Sequence, residues 1–386
     1  MTAPVPEPVS GTSAFLPAVE GLRAAAALGV VLTHVALQTG YTDGVVGRLL
    51  ARFDLSVAVF FALSGFLLWR GHAAAAHGFR ATPEPAPYYR SRMVRIMPAY
   101  LLTVVVVLSL LPDARSADRA VWIANLTLTQ VFVPKTLIAG LTQMWSLSVE
   151  MAFYLVVPLL ALLAAKLALQ QRIPVIFGVA LLSFGWGYLP IPAYHGANPL
   201  TWLPAYAAWF ATGMLLAEWM FRPYGWLHQL ARQRTILALV AVAAFLVAAS
   251  PLAMPGAHHH ATLGQFIVRT ALGAVVAGAL LAPLVLDRPG DGHRVLASAP
   301  MVTLGRWSYG LFLWHLAALD MVLAMIGQTA FPGALPVVMV LTTAFGLAVA
   351  AVSYALLEEP CRVALRRWEA RRRPRVAVCD SSARAR

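Results

Sequence analysis

The stretch VEGLRAAAALGVVLTHVALQ, residues 19–38, decides what kind of protein this is. Its 20 residues include only Glu20, Arg23 and His34 as ionisable side chains. As a helix it extends about 30 Å, the thickness of a hydrocarbon layer. Further apolar runs follow between polar breaks, at 55–70, 93–112, 144–168, 173–190, 199–220, 235–252, 264–286, 301–326 and 334–357. A semi-polar stretch at 120–133 is too broken for a span and reads as an interfacial or re-entrant segment. The composition agrees: 60% of the 386 residues are hydrophobic, 12% are charged and the mean hydropathy is +0.72. Soluble domains carry about 25% charged residues. A chain that crosses lipid must satisfy its own backbone, and the pattern lacks the alternation of a membrane barrel. The prediction is an all-α, polytopic membrane helix bundle of about ten transmembrane helices. The first 15 residues contain no Lys or Arg, so no cleavable signal peptide is expected.

The charges set an orientation. Arginine outnumbers lysine 27 to 2, a bias that suits a GC-rich bacterial genome. The even-numbered connections and the tail hold 22 of the 29 basic residues. The odd connections hold Arg48, Arg52, Arg115, Arg119 and Lys135, while Arg23 and Arg269 lie inside helices. The positive-inside rule then puts both termini in the cytoplasm, in a multi-pass protein of the inner or plasma membrane. The net charge of +13 is read as topology and lipid contact, with no nucleic-acid partner. Cys361 and Cys379 suggest neither a disulfide framework nor a metal site, and three adjacent histidines, 258–260, point in different directions.

Ionisable groups inside spans are costly and mark function. Arg23 and His34 are 11 residues apart, which puts them on one helix face about 16 Å from each other. Glu20, one turn before Arg23, is placed to pair with it. Arg92 and Arg95 are one turn apart at the start of the third predicted span. They are spaced to clamp phosphates by bidentate hydrogen bonds. Ser146, Glu150 and Tyr154 form a polar stripe on the fourth span, next to Trp145. Ser308 and His315 share a face of the ninth. Ser64-Gly65 reads as a close helix contact.

Together these segments resemble the acyltransferase-3 family of membrane O-acyltransferases, actinobacterial members in particular. The resemblance rests on Glu20-Gly21-Leu22-Arg23 with His34, on Val59-Phe60-Phe61-Ala62-Leu63-Ser64-Gly65-Phe66-Leu67, and on Arg92 and Arg95 with Pro98 and Tyr100. It continues through Trp145-Ser146-Leu147-Ser148-Val149-Glu150 with Phe153-Tyr154, Ser308-Tyr309 to Trp314-His315, and Glu358-Glu359-Pro360. Two positions depart from the pattern. Ala58 stands where the family often has an acidic residue, with Asp54 a turn earlier, and Met151-Ala152 replaces a frequent Glu-Gln.

The resemblance implies a central polar cavity within residues 1–361, followed by a basic cytoplasmic tail at 362–386. It implies acyl-CoA (acetyl-CoA or succinyl-CoA) as co-substrate, with no tightly bound cofactor and no metal. His34 and Glu150 are the expected catalytic residues, and Arg23, Arg92 and Arg95 the expected coenzyme A ligands. Glu20, Trp145, Tyr154, Ser308 and His315 are expected to bind substrate. A succinyl carboxylate would need a cation, and Arg48, Arg52 and Arg269 are the available ones. The expected acceptor is a hydroxyl of an envelope glycan or glycolipid. A macrolide or other secondary metabolite is the alternative, and a proton-coupled transporter the reading from another class.

Overall fold

The computed structural model describes residues 15–114, 116–191, 196–255, 261–287, 293–327 and 334–372. The histidine triplet, Cys379, Arg115, Arg288 and the tail beyond Arg372 lie outside them. Fourteen α-helices are present among the described residues, and no strand. They are α1 (Pro17–Gln38), α2 (Gly44–Ala51), α3 (Ser56–Ala76), α4 (Pro85–Leu110), α5 (Arg119–Leu126), α6 (Met144–Ala164) and α7 (Leu169–Ser183). Then come α8 (Ala207–Met220), α9 (Trp226–Arg232), α10 (Arg234–Ala248), α11 (Leu263–Val285), α12 (Ala299–Ile326), α13 (Leu335–Ser353) and α14 (Glu359–Arg372). The result is a polytopic helical membrane bundle.

Among the described residues, seven helices are long and apolar enough to cross a membrane, or eight if α9 and α10, bent by 83°, count as one span. The expected count of about ten is not reached, because α7 and α8 are only 15 and 14 residues long. The apolar run at 199–220 begins instead with the 3-10 turns Pro199–Thr201 and Leu203–Tyr206. Pro199 and Pro204 lack the N–H that a helix interior requires. The run at 173–190 stops early, at Ser183, and continues as a turn through Gly185 and Gly187.

Helix α4 starts eight residues before the apolar run does. Pro85 sits at its first position, where a missing N–H costs nothing. The extra turns are tied to α6, since the hydroxyls of Tyr88 and Tyr89 donate to the carbonyls of Tyr154 (3.0 Å) and Leu155 (2.8 Å). The predicted re-entrant stretch folds as α5 and a looped return held by buried polar groups. Asn125 donates to the carbonyls of Val121 and Thr136, at 2.9 Å each, and Tyr100 bonds the Asn125 carbonyl.

Two helix crossings position the site, and both depend on glycine. A Cβ on Gly213 would fall 1.8 Å from the Ala62 carbonyl, and one on Gly65 2.1 Å from the Phe210 carbonyl. Helices α3 and α8 therefore touch backbone to backbone, as the Ser64-Gly65 pair predicted. Gly305 does the same for α12 against Glu20 of α1, at 2.2 Å, which brings Ser308 close to Arg23. Elsewhere α7 and α8 are pinned by one buried ion pair. Glu218, 1% exposed, accepts from Nε of Arg172 (2.8 Å) and from the Trp69 indole (2.7 Å).

Candidate active site

The polar residues stand in three layers along the bundle. α1, α4 and α12 run in one direction, and α3 and α6 in the other. Their polar residues consequently meet at matching depths. The central layer is a narrow cavity of about 70 Å³, lined by Arg23, Ser64, Arg92, Arg95, Ser146, Glu150, Tyr154, Ser308 and Tyr309 with apolar neighbours. Glu150 is held from two sides, by a short hydrogen bond from the Ser64 hydroxyl and by one from Tyr154 at 2.6 Å. Arg23 pairs with Glu20 at 3.0 Å. Three guanidinium groups therefore face a cavity that contains one carboxylate, and the space carries a positive excess that favours an anionic ligand.

Toward the face where both ends of the described chain lie, the cavity meets a broader groove of about 590 Å³. Arg92, Leu67 and Leu68 line both spaces. Arg70, Arg80, Arg362 and Arg366 line the groove as well, with only Glu84 and Glu369 to oppose them among the described residues. Helix α14 forms one wall. It is clamped to α4 by Arg90, which stands 3.7 Å from the Glu369 carboxylate and 5.2 Å over the Trp368 ring. Between α13 and α14 the chain makes a π-turn, Tyr354–Glu358. Such turns are frequent at functional sites. This one buries Glu358 to 1% exposure with neither carboxylate oxygen hydrogen-bonded; its nearest cation is Arg362, at 3.7 Å.

On the other side of the cavity stand two histidines. Phe60 and Phe312 line the cavity and pack edge to face at 6.5 Å, and Phe312 lies 6.0 Å from the ring of His315. His315 is fully buried, and its Nε2 is 3.3 Å from Nδ1 of His34. The hydrogen bonds assign the tautomers. Nδ1 of His315 faces the Phe312 carbonyl at 2.7 Å and must carry a proton. Its Nε2 is then an acceptor. Nδ1 of His34 faces both that nitrogen and the Val30 carbonyl at 2.8 Å, so it also carries a proton. The lone pair of His34 is therefore on Nε2, as a neutral base requires.

The acyltransferase-3 family profile, described as an acyltransferase domain, matches residues 16–357. The chain belongs to the acyltransferase-3 family. It is a membrane O-acyltransferase, moving groups other than aminoacyl groups. Acyltransferase MdmB of Streptomyces mycarofaciens is 28% identical, over 95% of each chain. The exopolysaccharide production protein ExoZ of Rhizobium meliloti (strain 1021) is 27% identical over 89% of this chain and 96% of its own. O-acetyltransferase OatA of Staphylococcus aureus (strain NCTC 8325 / PS 47) is 23% identical over 90% of this chain but only 57% of its own length. No solved structure matches the chain significantly.

Set against the family's motifs, the residues divide in two. Arg23, Arg92, Arg95, Glu150, Tyr154 and Ser308 share the cavity. His34 and His315 pair with each other behind the Phe60–Phe312 wall, and Glu150 bonds Ser64 and Tyr154 instead of His34. Glu20 reaches the site through its pair with Arg23. Trp145 lies in an aromatic cluster, 5.1 Å from Tyr206 and 6.4 Å from Phe61. Asp54 lies between Arg52 and Arg269, at 3.5 and 3.4 Å. Sequence reading missed Glu358 and the arginines of α14. The only signal for them was the Glu358-Glu359-Pro360 motif beside a run that reads as a cytoplasmic tail.

Proposed function

We propose that the protein transfers a short acyl group, acetyl or succinyl, from acyl-CoA to a hydroxyl of a cell-envelope glycan or glycolipid, with His34 as general base. The observation that carries this reading is the tautomer of His34: Nδ1–H is held by Val30 and His315, and the Nε2 lone pair is left for a proton. The acceptor hydroxyl attacks the thioester carbonyl carbon while Nε2 takes its proton. The C–S bond then breaks, and the thiolate of coenzyme A leaves with a proton returned from the imidazolium. Arg92, Arg95 and the groove arginines would hold the donor phosphates, and Arg23 would guard the way inward. The groove then faces the cytoplasm, where coenzyme A is found, and both ends of the described chain lie on that side. Glu150, fixed by Ser64 and Tyr154, would balance the cavity arginines. At about 70 Å³ the cavity is too narrow for an acyl-pantetheine arm, so the Phe60–Phe312 wall must part to let the thioester reach His34.

The names of two relatives support the chemistry and the acceptor: OatA is an O-acetyltransferase and ExoZ acts in exopolysaccharide production. The deciding experiment deletes the gene and measures ester substituents on envelope glycans and lipids by mass spectrometry. One ester class should disappear, returning with wild type but not with His34→Ala. An intact envelope with a lost metabolite ester would move the acceptor to a secondary metabolite. Transfer by the purified protein in detergent, with no gradient, separates the enzyme from a transporter.

A further inference from the structure

Beyond the histidine pair, away from the groove, lies a cluster that the transfer chemistry leaves unused. The 3-10 turn Arg52–Leu55 leads into α3 and is wedged against the part of α1 that ends at His34. Thr33 donates to the Ala51 carbonyl at 2.8 Å, and a Cβ on Gly29 would fall 2.3 Å from the Ser56 hydroxyl and 3.3 Å from the Phe53 ring. In this turn Asp54 is shared by two arginines. Arg52 Nη1 is 3.5 Å from one carboxylate oxygen, and Nη1 of Arg269, from α11, is 3.4 Å from the other. Two guanidinium groups and one carboxylate leave a surplus of one positive charge. Hydrogen bonds are lacking as well. Arg52 is 3% exposed, yet its Nε and Nη1 have no hydrogen-bond partner, and neither do Arg269 Nε or Asp54 Oδ1.

A purely structural pair looks different in the same molecule. Arg172 and Glu218 are matched one to one; Nε and Nη1 of Arg172 donate to Glu218 and to the Ala164 carbonyl, only Nη2 lacks a hydrogen bond, and the carboxylate takes a further bond from Trp69. A buried guanidinium with idle donors and half a counterion is costly unless something completes it. Asp54 and Arg269 keep 35% and 27% of their side chains exposed, so the cluster can be reached. We propose that Arg52 and Arg269 form a receptor for a substrate oxyanion, a carboxylate or phosphate, beside His34 and opposite the donor groove. Asp54 holds the two guanidinium groups in place while the site is empty. The inference rests on the proposed transfer reaction. The oxyanion has two possible sources: the distal carboxylate of a dicarboxylic acyl group, or an anionic group on the acceptor.

The test uses the full-length protein purified in detergent. Its thermal midpoint is measured with monomethyl succinate or inorganic phosphate, against chloride at matched ionic strength. One of the two oxyanions should raise the midpoint. Arg52→Gln and Arg269→Gln should lose that rise, and Asp54→Asn, which removes the competing carboxylate, should bind the same probe several-fold more tightly. A wild type stabilised no more than by chloride, or an Asp54→Asn variant that binds no better, overturns the proposal. The asparagine variant keeps the test open even if both glutamine variants fail to fold. A second arm compares acetyl-CoA with succinyl-CoA, using a host membrane extract as acceptor. If the site reads the acyl carboxylate, the glutamine variants lose succinyl transfer at least tenfold and keep acetyl transfer. If it reads the acceptor, transfer from both donors falls together. Absence of transfer from either donor in wild type would count against the reaction and leave the binding result standing.

Discussion

At the scale of single residues, the pairing of His34 with His315 predicts a graded series. Removing the base in His34→Ala should lower kcat by about 10²–10⁴-fold or more, with the protein still folded. His315→Ala should lower kcat less, and His315→Gln should recover part of the loss, because an amide oxygen can accept from Nδ1–H of His34. Steady-state kinetics on purified variants checks both, and equal losses in His315→Ala and His315→Gln would rule out the orienting role. Arg92→Ala with Arg95→Ala should act on the donor instead. KM for acyl-CoA should rise roughly tenfold or more, since charge-assisted hydrogen bonds contribute about 1.5–3 kcal/mol each, and kcat should change less. An unchanged KM would argue against the clamp. Much of this site was legible in the sequence. Arg23, Arg92, Arg95, Glu150, Tyr154 and Ser308 are polar groups in apolar helices, and their spacing alone puts them on interior faces. The wall between Arg23 and His34 was not legible, because it comes from Phe60 and Phe312 of two other helices. Nor was Glu358, because a carboxylate near a basic tail looks solvated until the π-turn buries it.

Between elements, the α3–α8 contact is the crossing with least tolerance. Gly213→Val would push a side chain into the Ala62 carbonyl, and overpacking of this kind costs about 1–3 kcal/mol or more. A lowered melting point in detergent, with activity lost as the Ser64–Glu150 side of the cavity shifts, is the expected outcome. The ion pair between α7 and α8 makes a contrasting prediction. Glu218→Ala should destabilise by about 3–5 kcal/mol, as breaking a buried pair does. Adding Arg172→Met should recover much of it by removing the orphaned charge. A double variant as unstable as the single would show that the pair itself is not the source. Apolar runs located these helices well but not their ends. Pro199 and Pro204 shortened one, and Pro85 with two tyrosine hydroxyls lengthened another. Hydropathy does not register these effects, because they depend on backbone hydrogen bonds.

For the molecule as a whole, the arginine groove and both ends of the described chain share one face, and the Arg52–Asp54–Arg269 cluster occupies the other. Reporter fusions at the N-terminus and after Arg372 should both report the cytoplasm, and a cysteine at Thr42 should react with an impermeant thiol reagent added from outside. Opposite labelling would invert the proposed direction of transfer. The positive-inside rule gives the same expectation from arginine counts alone, and the labelling tests it. The buried Arg172–Glu218 pair also bears on how the chain is made. Arg172 leaves the ribosome 46 residues before Glu218. Arg172 lies in the first turn of α7, where a long cationic side chain reaches the aqueous boundary until its carboxylate is made. Burial of that end of α7 against Trp69 of α3 therefore follows the synthesis of α8, which supplies Glu218. A nascent chain arrested before Glu218 should leave the Arg172 end of α7 accessible to the cytoplasm.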